Sequence, residues 1–309
     1  MEKSMNDQLV SSDTRLDRFL VHLRLLAVPV IWGSTFVAGR IVAREIPPAT
    51  ASVARYLLAC IALAFATRII EGALPRLNRR QIVATVALGA TGVFGYSLLV
   101  IGALGRLPAS RASLIISLNP IVTIALASVL LGEKLSARRW LGVVIALAGV
   151  WVVVSHGDLN WQYGQAVGRG ELMMFAAACV WAAYTLIGRI TIKKLGLTPL
   201  ASTTYAAYWG TLLLCIASTT EWSALRLSAF TPLVCISLIW LGVLGTALAF
   251  VLYAINLRQF GAAHVALYNN FVPVFGAIFG VLLLSEPLVP SMLIGGGIAV
   301  AGVILAARI

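Results

Sequence analysis

Long apolar runs separated by short polar interruptions set the rhythm of this chain. The opening stretch, MEKSMNDQLVSSDTRLDRFLVHLR, mixes both charge signs and has no short apolar core with a cleavage motif, so it does not read as a signal peptide. Ten apolar blocks follow, over about 25–43, 49–69, 82–103, 110–131 and 139–155, then 171–190, 200–218, 233–255, 262–284 and 290–307. Each is close to the roughly 20 residues that a helix needs to cross a hydrocarbon core of about 30 Å. The pattern predicts ten transmembrane helices, the first doubling as the insertion signal. The stretch SHGDLNWQYGQAVGRG, 155–170, is Gly-rich and polar and reads as a linker between halves.

Two of these blocks carry nearly the same text. LNPIVTIALASVLLGEKL, 118–135, and FVPVFGAIFGVLLLSEPL, 271–288, place a proline, a Leu-Leu pair, a glutamate and a last leucine in one register. Shifting the chain by 153 residues lays 107–155 on 260–308 with 13 of 49 pairs identical, among them Pro120/Pro273, Glu133/Glu286, Gly142/Gly295 and Gly149/Gly302. Shifts of 150 and 149 pair Gly92/Gly242, Gly95/Gly245 and Trp32/Trp181. The chain therefore divides into a tail at 1–24, a five-helix repeat at 25–155, a linker at 156–170 and a second five-helix repeat at 171–309. Five is odd, so consecutive repeats enter the membrane from opposite sides. Inverted repeats of this kind are the architecture of secondary transporters, with a site near the midplane between the halves.

Composition agrees: 60% of residues are hydrophobic and 11% charged, against about 25% charged in soluble domains. The net charge of +12 reports topology rather than nucleic-acid binding. With the N-terminus inside, 16 of the 23 Lys and Arg fall in cytoplasmic segments and 6 outside, so both termini are expected in the cytoplasm. Cys60, Cys179, Cys215 and Cys235 lie in or beside apolar blocks and read as free core thiols. No spacing suggests a metal site, a P-loop or a dinucleotide motif, so no metal and no cofactor are expected.

The segment Trp32-Gly33-Ser34-Thr35-Phe36 and the run from Pro120 through Leu131-Gly132-Glu133-Lys134-Leu135, with Gly142 and Ala148-Gly149-Val150 after it, resemble the EamA branch of the drug/metabolite transporters. The resemblance spans about 25–307 and implies a ten-helix carrier of amino acids, metabolites or other small solutes in the bacterial inner membrane. It also implies export as the net direction. In the second repeat Ser285-Glu286-Pro287 stands where the first has Gly-Glu-Lys, and Trp181 is followed by Ala-Ala rather than Gly-Ser, so the gate details are expected to differ here from those of the family.

Arg55 is the single Lys or Arg well inside a predicted span. It reads either as a side chain reaching out to the interface or as a carboxylate-binding group, since no acidic residue falls inside a span to pair with it. Pro120 and Pro273 interrupt their helices and free backbone carbonyls, with Asn119 and Asn269 beside them as polar lining or interhelical glue. Trp32, Tyr96, Trp181, Tyr253 and Tyr268 are candidate aromatic contacts, the first and third because they pair under the repeat. His264 reads as a polar end-of-helix residue or a proton site. The expected partners are a small-molecule substrate and the lipid bilayer, with no nucleic acid; a monomer is compatible with the sequence. An intramembrane enzyme needs convergent catalytic groups, and the histidines at 22, 156 and 264 are scattered, so no enzyme is expected. A multidrug carrier of the same fold and a scaffold stand as alternatives.

Overall fold

The computed structural model describes residues 15–132, 136–155 and 167–307, with backbone alone at 15–20, 131, 262–264 and 307. Among the described residues it holds helices and no strand. The helices are α1 (Arg15–Glu45), α2 (Pro48–Glu71), α3 (Arg79–Leu104), α4 (Ala109–Leu130), α5 (Ala137–Val154), α6 (Arg169–Leu195), α7 (Pro199–Ser218), α8 (Pro232–Gly261), α9 (Val265–Leu284) and α10 (Pro290–Ala307). Nine are long and apolar enough to span a bilayer, and α10 is a slightly shorter apolar helix. The ten expected blocks are therefore the ten helices. α1 begins before its apolar block, at Arg15, in the stretch read as the tail. Residues 156–166 of the linker lie outside the described residues.

Local chemistry starts and stops these helices where the bilayer ends. Asn78 and Gln81 form a reciprocal capping box at the start of α3, and Thr198 and Thr231 cap α7 and α8 ahead of Pro199 and Pro232. Gly72 and Gly196 end α2 and α6 with φ of 80° and 70°, a conformation that costs glycine little.

The inverted symmetry is written in the closest packing of the bundle, α5 against α10. A Cβ on Gly142 would strike the backbone of Ala306, and one on Gly295 would strike that of Val153. Gly149 meets Ala299 in the same way, and Gly302 meets Ala146. Under the 153-residue shift each contact is the mirror of the other in its pair. Gly149→Val is expected to destabilise the bundle by about 2–3 kcal/mol through overpacking. Gly297→Val, whose Cβ meets nothing within 4 Å, is the matched control. Thermal unfolding in detergent checks both; equal melting temperatures would mean that the α5–α10 seam yields.

A second mirrored pair ties α2 to α7. Glu221, just past α7, accepts from the Ala49 and Thr50 amides at 3.0 and 2.8 Å, at the positive end of α2. Glu71, at the end of α2, accepts from the N-cap hydroxyl of Thr198 at 2.9 Å. The first of these joints lies at the far end of the bundle; the second lies at the near end, where α1 begins.

The third pair is described at one end only. At the far end Glu286 accepts from the Ala109 and Ser110 amides at 2.7 and 2.8 Å and from the Ser110 hydroxyl at 2.6 Å. Beside it Gly276 and Gly280 let α9 approach Ser113 and Ser110 of α4 without intervening side chains. At the near end, among the described residues, the second half of α4 packs on α6 and has no comparable contact with the end of α8 or the start of α9. Glu133, the mirror of Glu286, lies outside the described residues. Among the described residues, Glu286 thus joins the two halves along this seam at the far end.

Candidate functional site

Two helices change their winding where the halves meet. α3 widens into a π-helical segment at Gly89–Gly95, and α8 does so at Trp240–Leu248. These are the segments that hold the repeated glycines. Gly92 is pressed by the Tyr184 ring, and Gly242 by the Arg55 carbonyl. A π turn widens the spacing between backbone donor and acceptor, and such turns recur at functional sites.

α4 and α9 change direction at matching positions. The chain leaves helical bonding at Ser117–Leu118 and at Asn270–Phe271, and it resumes in Asn119–Leu131 and Val272–Leu284. Pro120 and Pro273 therefore occupy the first turn of a new helical segment, where a missing N–H leaves no bond unmade, rather than bending a continuous helix. The Ser113 hydroxyl lies 3.2 Å from the Pro273 carbonyl oxygen, joining the two broken helices.

Around these features six of the expected site residues come together. Arg55, half-buried on α2, donates from Nε and Nη2 to the Thr246 hydroxyl on α8 at 3.1 and 3.0 Å, and its guanidinium carbon lies 5.1 Å from the centre of the Tyr56 ring. Among the described residues no carboxylate is within ion-pair distance of it. Trp32 on α1 donates from its indole to the Gly245 carbonyl at 3.1 Å and packs on Phe250 and Tyr253, each with ring centres 5.6 Å away. Trp181 on α6 packs on Tyr96 at 4.7 Å and on Tyr184 at 5.0 Å. The tryptophan of each repeat's first helix thus meets the tyrosine of the other repeat's third helix. Asn119 lies beside the Tyr96 hydroxyl, and its side-chain oxygen, shielded from solvent, has no hydrogen-bond partner.

The other three expected residues lie elsewhere or outside the described set. Tyr268 is at the near end, its hydroxyl hydrogen-bonded to His22. Asn269 is half-buried at the break in α9. The His264 side chain falls outside the described side chains. Thr246, Tyr184 and Phe250 were not singled out by the sequence, and they complete the wall. Beneath it, Tyr56, Tyr184, Thr246 and Phe250 line a small cavity that gives ≈ 10 Å³ to the centre of a water molecule, room for about one water.

Among the described residues, the arrangement offers a guanidinium with N–H groups that have no protein partner, an unpaired amide oxygen and a wall of aromatic rings where the two halves meet. Among the described residues no group of three or more His, Cys, Asp or Glu side chains is placed to hold a metal ion. The sequence pattern of the EamA-like transporter family matches residues 20–155 and matches again over 168–308. The chain is a member of the EamA-like transporter family.

Relatives of this EamA-like protein fit that placement. It is 25% identical to the uncharacterized transporter YyaM of Bacillus subtilis (strain 168), over 94% of each chain. It is 29% identical, over 92% of each chain, to a probable terminal-alkyne amino-acid exporter of Streptantibioticus cattleyicolor. It is also 27% identical to an S-adenosylmethionine/S-adenosylhomocysteine transporter of Chlamydia trachomatis serovar L2, over 88% of this chain and 84% of that one. A solved protein crystal structure shares the fold, with a TM-score of 0.66 at 18% identity over 93% of this chain and 97% of that one. The protein is a multi-pass integral membrane transporter.

Proposed function

We propose that this EamA-like protein is a secondary carrier of small zwitterionic metabolites, foremost amino acids and related compounds, which it exports across the bacterial inner membrane by alternating access. The observation that carries the reading is the proximity of Arg55, without a carboxylate partner among the described residues, to the unpartnered side-chain oxygen of Asn119 beside Tyr96. A carboxylate satisfies the first and an ammonium the second, and buried polar atoms are seldom left unpaired. Trp32, Tyr253, Trp181 and Tyr184 supply an apolar, flat-faced wall for a side chain. Two relatives named above carry, by their names, an amino acid and an amino-acid derivative, which supports the same class of cargo.

The excess of Lys and Arg at the near end supports a cytoplasmic placement of that end, and the Glu286 joint then faces the outer side. Alternating access then requires that the two ends open in turn about the mirrored α5–α10 and α2–α7 joints.

Counterflow in proteoliposomes is the test. Vesicles loaded with one unlabelled amino acid are expected to take up the same labelled compound saturably, with or without a pH gradient. If none of the twenty proteinogenic amino acids exchanges while the protein stays folded, the zwitterion reading is lost. Exchange of apolar cations in their place would favour a multidrug carrier of the same fold.

A further inference from the structure

The hydroxyl that holds Arg55 has no bonding capacity left. Thr246 is 1% exposed, and its oxygen accepts from Arg55 Nε at 3.1 Å and Nη2 at 3.0 Å while donating its own proton to the Leu241 carbonyl at 2.9 Å. A hydroxyl has one proton and two lone pairs, so all three are used. The bond to Leu241 reaches back five residues, the spacing of the π turn in which both residues lie. The widened winding of α8 therefore aims the hydroxyl at α2. Gly245, the residue before, gives its carbonyl to Trp32. Consecutive residues of one π segment in the second repeat thus hold the guanidinium of α2 and the indole of α1 from the first.

A guanidinium meets a carboxylate through one of two forked edges, Nε with Nη2 or Nη1 with Nη2. Thr246 occupies the first edge. Nη1 and the second proton of Nη2 remain without a protein partner among the described residues. A long side chain fixed in this way has one edge to offer and little rotamer entropy left to lose when a ligand binds.

We propose that Thr246 is a positioning residue for substrate selection: by occupying the Nε–Nη2 edge it leaves the Nη1–Nη2 edge of Arg55 for the substrate, and so selects solutes that bear a planar carboxylate. The proposal rests on Arg55 as the carboxylate contact. Thr246 does not itself touch the substrate. Its hydroxyl sets the preference of the carrier for an acid over the matching carboxamide.

Thr246→Val removes the hydroxyl at nearly constant volume, and Thr246→Ser keeps it. In proteoliposome counterflow, with the twenty proteinogenic L-amino acids and their carboxamides as competitors, Thr246→Val is expected to raise KM for the transported acid roughly tenfold and leave kcat within about twofold. It is also expected to narrow the preference for acid over amide by a similar factor. Thr246→Ser is expected to stay within about threefold of the wild type on every measure. Should Thr246→Val fail to fold in detergent, Thr246→Ala takes its place in the comparison. If the hydroxyl-free variant matches the wild type while Arg55→Ala has lost transport, Thr246 has no such role and Arg55 keeps its own. Equal impairment of the folded valine and serine variants overturns the proposal too, since the hydroxyl would not be the operative group. If the wild type exchanges no acid at all, the reading of Arg55 fails, and the role of Thr246 fails with it.

Discussion

Arg55→Ala is expected to raise KM for the transported amino acid a hundredfold or more, enough to abolish measurable counterflow at millimolar substrate. The guanidinium is half-buried among Thr246, Tyr56 and the aromatic wall, where a lost charge pair costs about 3 kcal/mol or more of binding. Arg55→Lys keeps the charge but not the planar fork, and a flexible ammonium cannot hold Thr246 and a carboxylate in one fixed geometry. It is expected to fall between, with KM raised roughly tenfold. Both variants remove a group that lacks a carboxylate partner among the described residues, so they strand no acid there, and melting temperatures close to wild type are expected. Normal transport by both would remove Arg55 from the site.

The second large effect concerns the closed end. Glu286 is 8% exposed and accepts three hydrogen bonds at the start of α4, with Arg40 close enough to add to the local positive field. Glu286→Ala leaves two buried amides and a hydroxyl without their acceptor, which costs the closed arrangement about 3 kcal/mol, roughly a hundredfold in the ratio of closed to open. Opening of that end lets water reach the same groups, so the penalty falls on one state alone. The readout is a cysteine at Ser113, which is fully buried against Gly276, in a chain whose four native cysteines have been replaced. A membrane-impermeant maleimide added from the far side is expected to label it at least tenfold faster when Glu286 is alanine. Unchanged labelling would reduce Glu286 to an ordinary helix cap.

How much of this was legible in the chain depends on the range of the interaction. The bilayer fixes the length of each apolar block, so the ten helices follow from hydropathy. The inverted repeat followed from the register of Pro120 with Pro273 and Glu133 with Glu286, and Trp32 and Trp181 were marked because they pair under it. The contacts of Trp32 with Tyr253 and of Trp181 with Tyr96, and the hydrogen bond between Arg55 and Thr246, join residues far apart in the chain, and no local spacing encodes them. The π segments leave hydropathy unchanged; only the glycine pairs at 92 and 95 and at 242 and 245 hint at them. The two prolines were read as interrupting their helices, and the break in helical bonding comes just before each. Tyr268 was grouped with the other aromatics by type, but its position on the first turns of α9 carries it to the near end beside His22.

Arg55 also says something about why the two repeats share one chain. The 150-residue shift that pairs Glu71 with Glu221 sets Arg55 against Tyr205, whose hydroxyl is spent on the Pro75 carbonyl. The scaffold is two-fold, but its charge is single. A homodimer of identical five-helix chains would have to place two guanidinium groups in the same cleft, repelling each other and calling for two anions. Covalent fusion allows one repeat to carry a guanidinium that the other does not. A hinge that is indifferent to direction can then hold a solute whose two ends are different, in one orientation throughout its passage.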